Sequence, residues 1–402
     1  MGKFWNKHVF TAELPYEKDQ IVTLFLKERF EKVDSFIMSL GQMSNIPPSR
    51  LFSYRKGKLI NEKIYIKNNL NAAGLVLYFI LIPKALFSVV FDLIRALRAI
   101  NFTCDIFFAQ HFLPAFVAVI LRKLGILKCE KIVFWMFDLF LIPPEFPRGL
   151  YFRGMDSIQS FMRTRVDEIW YTTPRLLEAD EKRFGPLPEN VKKRLTQGCF
   201  LRRIKTDSPL RPPPLRLAFL GSLRRDTAIY ESLDAVLCCL ENGMNVELSV
   251  IGSGPEEKYI KEYVRKKRNT KAITFYGFED RGKEIAKILS KCHLGLALYP
   301  ATPYSPNWYL TSGKCRRYIS QGLPIVISTV SYFAKYIHEY KAGIIVDNNP
   351  EEIQQVLQNI CNNPSILEDM RKGVDKLYKK YQADIVLEEI FNDMLYLTKE
   401  KN

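Results

Sequence analysis

A serine, a glycine and a lysine stand together at Ser312-Gly313-Lys314, followed by Cys315-Arg316-Arg317-Tyr318-Ile319-Ser320-Gln321-Gly322-Leu323-Pro324. Residues of these types at the start of a helix suit the binding of an anion. Ser312 fits the N-cap, and Gly313 lets a ligand come close to the backbone. The first N–H groups of the helix and the Lys314 ammonium then attract negative charge, in an arrangement suited to a diphosphate. Gly322 fits the helix C-terminus and Pro324 blocks its continuation, so Ile325–Ser328 reads as the next buried strand.

Such a helix must be held by a sheet, and the sequence supplies one. Behind the proline cluster Ser208-Pro209-Leu210-Arg211-Pro212-Pro213-Pro214, apolar strands alternate with amphipathic helices. Strands are expected at Leu215–Leu220, Val246–Ile251, Ala272–Tyr276, Leu294–Tyr299, Ile325–Ser328 and Gly343–Val346. Helices are expected at Tyr230–Glu241, at Lys283–Ser290 and from Pro350 onward. Strict alternation of this kind predicts a parallel sheet covered on both faces, with ligands at the carboxyl ends of its strands. Gly221, Gly252, Gly277 and Pro300 fall at those ends.

The first half is of similar kind but less regular. It offers strands at Phe36–Leu40, Lys131–Phe137 and Glu168–Thr172, and a segment Cys104–His111 followed by a helix Ala115–Leu124. The expected organisation is a domain over 1–207, a stiff linker over 208–214, a second domain over 215–380 and a closing helix within 381–402.

Composition narrows the class. At 402 residues, 47% hydrophobic and 25% charged, the chain has room for two globular domains. A net charge of +16 points to nucleic acid, an anionic membrane surface or phosphorylated substrates. No zinc-finger spacing, RNP-like aromatic pattern or basic tail is present, so nucleic acid is not expected as a partner. The clusters Arg265–Arg268 and Lys192–Arg194 read as solvated helix faces or as points of membrane attraction. Eight scattered cysteines without C-x-x-C spacing read as reduced thiols. Residues 1–10 show no signal-peptide pattern, which places the chain in the cytoplasm. The apolar stretch Ala72–Phe91 is interrupted by Pro83 and Lys84. It is therefore expected to give a buried or interfacial helix, Ala85–Ile100, with Asp92, Arg95 and Arg98 on its wet side.

Five motifs in order carry a family resemblance. They are Phe219-Leu220-Gly221-Ser222-Leu223, Val250-Ile251-Gly252-Ser253-Gly254-Pro255, Phe275-Tyr276-Gly277-Phe278, Ser312-Gly313-Lys314…Tyr318…Gly322-Leu323-Pro324 and Ala342-Gly343-Ile344-Ile345-Val346. With them the chain resembles retaining GT-B glycosyltransferases of the family 4 type, over residues 213 to about 375. The first half resembles the family more loosely, through Asp105-Ile106-Phe107, Ile132–Asp138 and Val166–Trp170. The family's Gly-rich acceptor-side loop is not evident.

The resemblance implies an α/β fold of two Rossmann-like domains facing a central cleft, with the final helix returning to the first domain. It implies transfer of a sugar from a nucleotide-diphosphate sugar to a glycan or lipid-linked acceptor. The nucleotide sugar is a substrate. No cofactor is expected, and without a D-x-D motif no metal either. On the donor side it points to Gly221, Ser312, Gly313 and Lys314. Arg224 or Arg225 would replace the cation that follows the first strand, or be exposed loop charges. Phe278 would meet the base, or be a core aromatic. Asp138 and His111 would orient or deprotonate the acceptor hydroxyl, or be satisfied structural groups. His293 and His338 read as structural.

The family's paired glutamates are replaced by Tyr309 and Arg317. Arginine is donor-only and cannot accept hydrogen bonds from ribose hydroxyls. An unusual donor, ribose binding by another residue and a lost activity all follow as readings. The rivals are therefore a non-catalytic GT-B partner or glycan-binding subunit and, more distantly, a GT-B isomerase. Basic charge and the 72–91 segment suggest work at the inner face of a membrane.

Overall fold

In the computed structural model, continuous apolar runs pair into two largely parallel sheets, one in each of two units, Met1–Thr196 and Gln197–Asn402. The structure describes residues 5–13, 21–39, 48–65, 77–137, 139, 145–206, 211–267, 270–279, 281–300, 308–309, 312–347 and 349–399. The expected linker is thus described only over 211–214. Asp138 and residues 301–307 of the aromatic loop lie outside the described residues.

The first unit holds strands β1 (Trp5–Glu13), β2 (Phe30–Ile37), β3 (Arg50–Arg55), β4 (Lys58–Ile64), β5 (Ile106–Ala109), β6 (Lys131–Met136), β7 (Glu168–Tyr171) and β8 (Lys192–Leu195). Their order is β4-β3-β2-β1-β5-β6-β7-β8. All neighbours are parallel except the β2–β3 and β3–β4 pairs, which form an antiparallel edge.

Two expectations shift here. Of the strand expected at Phe36–Leu40, Phe36 and Ile37 form the end of β2, which pairs along its length with β1, and Leu40 lies outside the described residues. The helix expected at Ala85–Ile100 runs Ile82–Ala99 after a π-helical turn at Leu77–Leu81. It takes Pro83 into its first turn, where a missing N–H costs nothing, and so starts earlier than Ala85. Asp92 is a correction. It is 1% exposed, while Arg95 and Arg98 stay in solvent, because Asp92 lies on the same helix face as the buried Val89, Leu93 and Ala96. Among the described residues no helix is long and apolar enough to cross a membrane.

The second unit holds β9 (Leu215–Leu220), β10 (Val246–Ile251), β11 (Ile273–Gly277), β12 (Leu294–Ala297), β13 (Ile325–Ser328) and β14 (Gly343–Val346). The order β11-β10-β9-β12-β13-β14 is wholly parallel and reverses direction between β9 and β12. That reversal leaves a crevice at the strand ends, the usual ligand position in such sheets. Both faces of β9 are covered. Leu215, Leu217 and Phe219 pack with the helix Ile229–Glu241, and Ala218 packs on the opposite side with Tyr318 and Ile319.

Residues 197–206 lead into this unit. Phe200 bridges to Gln382 as a parallel β-bridge, and Arg203 pairs with Asp375. The closing helix Ala383–Lys399 is grouped with the same unit. None of the eight cysteines forms a disulfide.

The helix Gly313–Ser320 lies against β12 only because Gly295 has no side chain. A Cβ there would stand 2.5 Å from the Tyr318 ring. Gly295→Ala is expected to cost roughly 1–3 kcal/mol through overpacking. A lowered chemical-unfolding midpoint of the second unit checks this, and an unchanged midpoint would contradict the close packing.

Candidate active site

The site is assembled at the carboxyl end of β9. The Tyr318 hydroxyl donates to Ala218 O (3.1 Å) and accepts from Leu220 N–H (2.8 Å). These bonds tie the helix Gly313–Ser320 to the last turn of β9. Lys314 is four residues before Tyr318, so the two share a helix face. Its side chain reaches the glycine that ends β9: a Cβ added at Gly221 would stand 3.5 Å from Lys314 Cε and 3.7 Å from Nζ.

Gly221 and Gly252 occupy positive-φ conformations, at 151° and 144°. The two strand ends are stitched together by Gly221 N–H to Ile251 O (3.0 Å) and Gly252 N–H to Gly277 O (2.8 Å). A Cβ on Gly252 would lie 1.9 Å from Gly221 O, so no larger residue fits this approach.

Lys314 is the unusual group. Its Nζ is buried and has no hydrogen-bond partner among the described residues. It lies over the rings of Phe219 (4.3 Å) and Tyr299 (5.1 Å), whose faces offer partial cation–π compensation. Burial pushes its pKa down to about 8, with the neighbouring Cys315 countering slightly. A sealed ammonium without an anion is costly, and the missing partner is supplied most simply by a bound anion.

Ser312 brings a correction. It stands at the N-cap, but its side chain makes no capping bond. Its hydroxyl instead accepts a hydrogen bond from the Tyr299 hydroxyl. The physical effect is to leave the first N–H groups of the helix open. Among the described residues nothing lies within 4 Å of the point where a Cβ on Gly313 would stand. Uncapped N–H groups and a buried cation thus meet at one point.

The other expected donor residues stand as follows. Arg224 pairs with Asp226 beside it (Nε to Oδ1, 2.9 Å). Arg225 reaches Glu256 (3.2 Å), and its side chain is 82% exposed, so this pair is weak and exchangeable. Phe278 is 61% exposed just past β11, which removes the core-aromatic alternative. It is available to stack on a planar ligand. Arg317 is half-buried on the helix, and Tyr309 is buried. His293 serves the fold: its Nδ1 accepts from Arg216 N–H at 2.8 Å.

In the first unit, His111 follows β5 as the N-cap of the helix Phe112–Lys123, its Nδ1 accepting from Leu113 N–H (3.2 Å). Burial pushes its pKa down to about 4. The ring is therefore neutral near pH 7, with its proton on Nε2. In that form its Nε2–H is a hydrogen-bond donor.

Sequence reasoning passed over two groups. Tyr318 was visible at four-residue spacing from Lys314, but its hydroxyl bonds were not. Glu13 ends β1 and is 2% exposed, its Oε1 accepting from Thr11 Oγ1 (2.9 Å) and from the Thr23 hydroxyl. Nothing local to Trp5–Glu13 marks it.

Residues 214–363 match the family described as Glycosyl transferases group 1. No curated protein sequence is significantly similar to the chain. Solved structures share the fold at low identity. Sucrose-phosphate synthase from Thermosynechococcus elongatus is 14% identical with a TM-score of 0.65, over 97% of this chain and 100% of that one. HepE from Anabaena in complex with UDP is 10% identical with a TM-score of 0.62, over 97% and 100%. OtsA is 13% identical with a TM-score of 0.63, over 96% and 99%. The chain therefore has the GT-B glycosyltransferase fold, and its second unit carries the group 1 glycosyltransferase sequence pattern.

The state of Lys314 sets a pH dependence. In the free protein its pKa of about 8 lies below the ordinary 10.5. Its penalty on the fold is complete below pH 8 and is relieved as pH rises from 8 to 10.5, where only the unfolded chain stays protonated. The penalty is about 3 kcal/mol at 1.4 kcal/mol per unit. Lys314→Met is accordingly expected to raise the melting temperature at pH 7. Pyrophosphate affinity of the wild type should fall as pH passes upward through 8. Calorimetry across that window checks the sign, and an affinity that rises with pH would contradict it.

Proposed function

We propose that the second unit binds the diphosphate of a nucleotide sugar at Lys314 and the open N–H groups of Gly313–Ser320. On this reading the chain transfers the sugar, with retention and without a metal, to a hydroxyl of a glycan or lipid-linked acceptor. The observation that carries the reading is the buried, unpartnered Lys314 ammonium at the end of β9, beside an uncapped helix start.

The chemistry follows from charge. As the bond between sugar and diphosphate breaks, positive charge grows on the sugar carbon and negative charge on the departing phosphate. The buried Lys314 Nζ and the N–H groups at the helix start are fixed in place before the reaction begins. They hold the developing charge without having to reorganise. Gly221 leaves room for the phosphate to approach, and exposed Phe278 offers a face for the base. Arg225 is the cation best placed to exchange its weak partner for a phosphate oxygen. His111 and Asp138 are the acceptor-side residues of this reading, His111 as the donor that orients the hydroxyl.

A second reading rests on Tyr309 and Arg317. An arginine where a ribose-binding carboxylate is expected favours a partner subunit that has lost donor binding. The two readings part at the nucleotide. Titration with UDP, the nucleotide described in the HepE complex, should raise the melting temperature of the wild type by mass action. Lys314→Ala should abolish that shift, and hydrolysis of a UDP-sugar should fall with it. If UDP, GDP, dTDP, ADP and CMP all leave the melting temperature unchanged, the transferase reading fails and the partner reading takes its place.

We also propose that the first unit rests on an anionic membrane surface at the cytoplasmic face. The helix Ile82–Ala99 exposes Phe87 (75%) and Phe91 (53%) alongside Lys84, Arg95 and Arg98. Aromatic rings flanked by basic residues suit the interfacial region of a bilayer. Co-sedimentation with phosphatidylglycerol-containing vesicles should weaken with added salt and with the pair Phe87→Ser and Phe91→Ser. Equal binding to neutral vesicles would contradict an electrostatic contact.

A further inference from the structure

The helix that carries Lys314 at its start meets a cavity at its other end. This cavity, of about 430 Å³, lies at the amino ends of β12 and β13, since Leu289, Cys292, Gly322 and Leu323 in its wall all precede those strands. Its volume falls within the range of small-molecule sites. Carboxyl-end chemistry at Gly221 does not account for it.

Its polar lining is uneven. Arg203 is fully used: it donates to Ser320 O (3.0 Å) and Asp375 Oδ1 (2.7 Å), and stacks on the Tyr378 ring at 4.5 Å. That pair cancels its own charge. Two further cations, Lys205 and Arg371, line the cavity, and Glu368 acts on Arg371 from one turn earlier on its helix. Arg371 Nη2 is buried and has no hydrogen-bond partner among the described residues. Gln321 is in the same state at both ends of its amide, with Nε2 and Oε1 buried and unpartnered.

Buried polar atoms are almost always paired, so three orphans around one cavity define what is missing from it. Two cations match the charge of a phosphate dianion better than that of a single carboxylate. The amide of Gln321 needs an acceptor and a donor together, and one hydroxyl group supplies both. Inorganic phosphate would satisfy the charge but leave the amide and much of the volume unfilled.

We propose that this cavity is a second ligand site that binds a small phosphorylated sugar or polyol. The phosphate sits between Arg371 and Lys205, and a hydroxyl of the same molecule pairs with Gln321. The site is independent of the diphosphate position at Lys314 and does not rest on it.

The test is calorimetric titration of the full chain with ribose 5-phosphate, inorganic phosphate and ribose. Ribose 5-phosphate should bind, inorganic phosphate should bind more weakly, and ribose should give no signal. Arg371→Met and Gln321→Leu should each weaken ribose 5-phosphate by about tenfold or more, as loss of a charged or paired contact does. Lys314→Ala should leave it unchanged. Because Arg371 and Gln321 hold unpaired atoms, both variants should melt no lower than the wild type in the absence of ligand. Three results would overturn the proposal. The first is no binding of ribose 5-phosphate at millimolar concentration, which would mean that only water fills the cavity. The second is binding that survives both cavity variants but is lost in Lys314→Ala. The third is a lowered melting temperature in both cavity variants, which would make the two residues structural.

Discussion

The Tyr318 hydroxyl sits between Ala218 O and Leu220 N–H, and the geometry around Lys314 hangs from those two bonds. Backbone groups at the end of a parallel strand have lost their ladder partners and must be satisfied elsewhere. β9 pairs with β12 only as far as Phe219, so Tyr318 satisfies the Leu220 N–H from the helix side, adds a bond to Ala218 O, and so fixes that helix relative to β9. The rest is a matter of spacing. One helical turn earlier, Lys314 arrives over Gly221. Two residues before that, Ser312 is drawn to Tyr299 and leaves the helix start uncapped. Gly295 and Gly252 are the places where the sheet gives way to let this happen.

The arrangement trades stability for readiness. A buried ammonium over two aromatic rings is poorly compensated, and its depressed pKa records that cost. At another buried position the charges are paired. Arg163 and Asp180, both fully buried, bond to each other, and Tyr171 adds a third group to the cluster. The contrast within one molecule is informative, because a buried charge left unpaired where others are paired marks a place that a ligand completes.

Much of the second unit was legible in the sequence. Leu215–Leu220, Val246–Ile251, Ile325–Ser328 and Gly343–Val346 have the bounds expected of them. Buried parallel strands are short apolar runs, and glycines or prolines bracket them here. The place of Lys314 at a helix start was legible too, because residue type and spacing suffice for it. The first unit was harder. β1 carries His8, Thr11 and Glu13, which look unsuited to a buried strand until their partners are known. His8 pairs with Asp34 at 2.7 Å, and Glu13 with Thr11 and Thr23, across distances that a single sequence does not reveal. The β3–β4 hairpin was missed because β4 is exposed along its whole length and shows no alternation. Side-chain hydrogen bonds were the other blind spot: Ser312 looks like a cap, and only the position of Tyr299 shows that its hydroxyl is engaged elsewhere.

The most direct measurement is a crystal structure of the full chain with UDP. The account predicts a phosphate oxygen within hydrogen-bond distance of Lys314 Nζ, with the N–H groups at the start of Gly313–Ser320 aimed at the same phosphate. UDP bound away from the end of β9, or a Lys314 ammonium still unpartnered with UDP present, would contradict it.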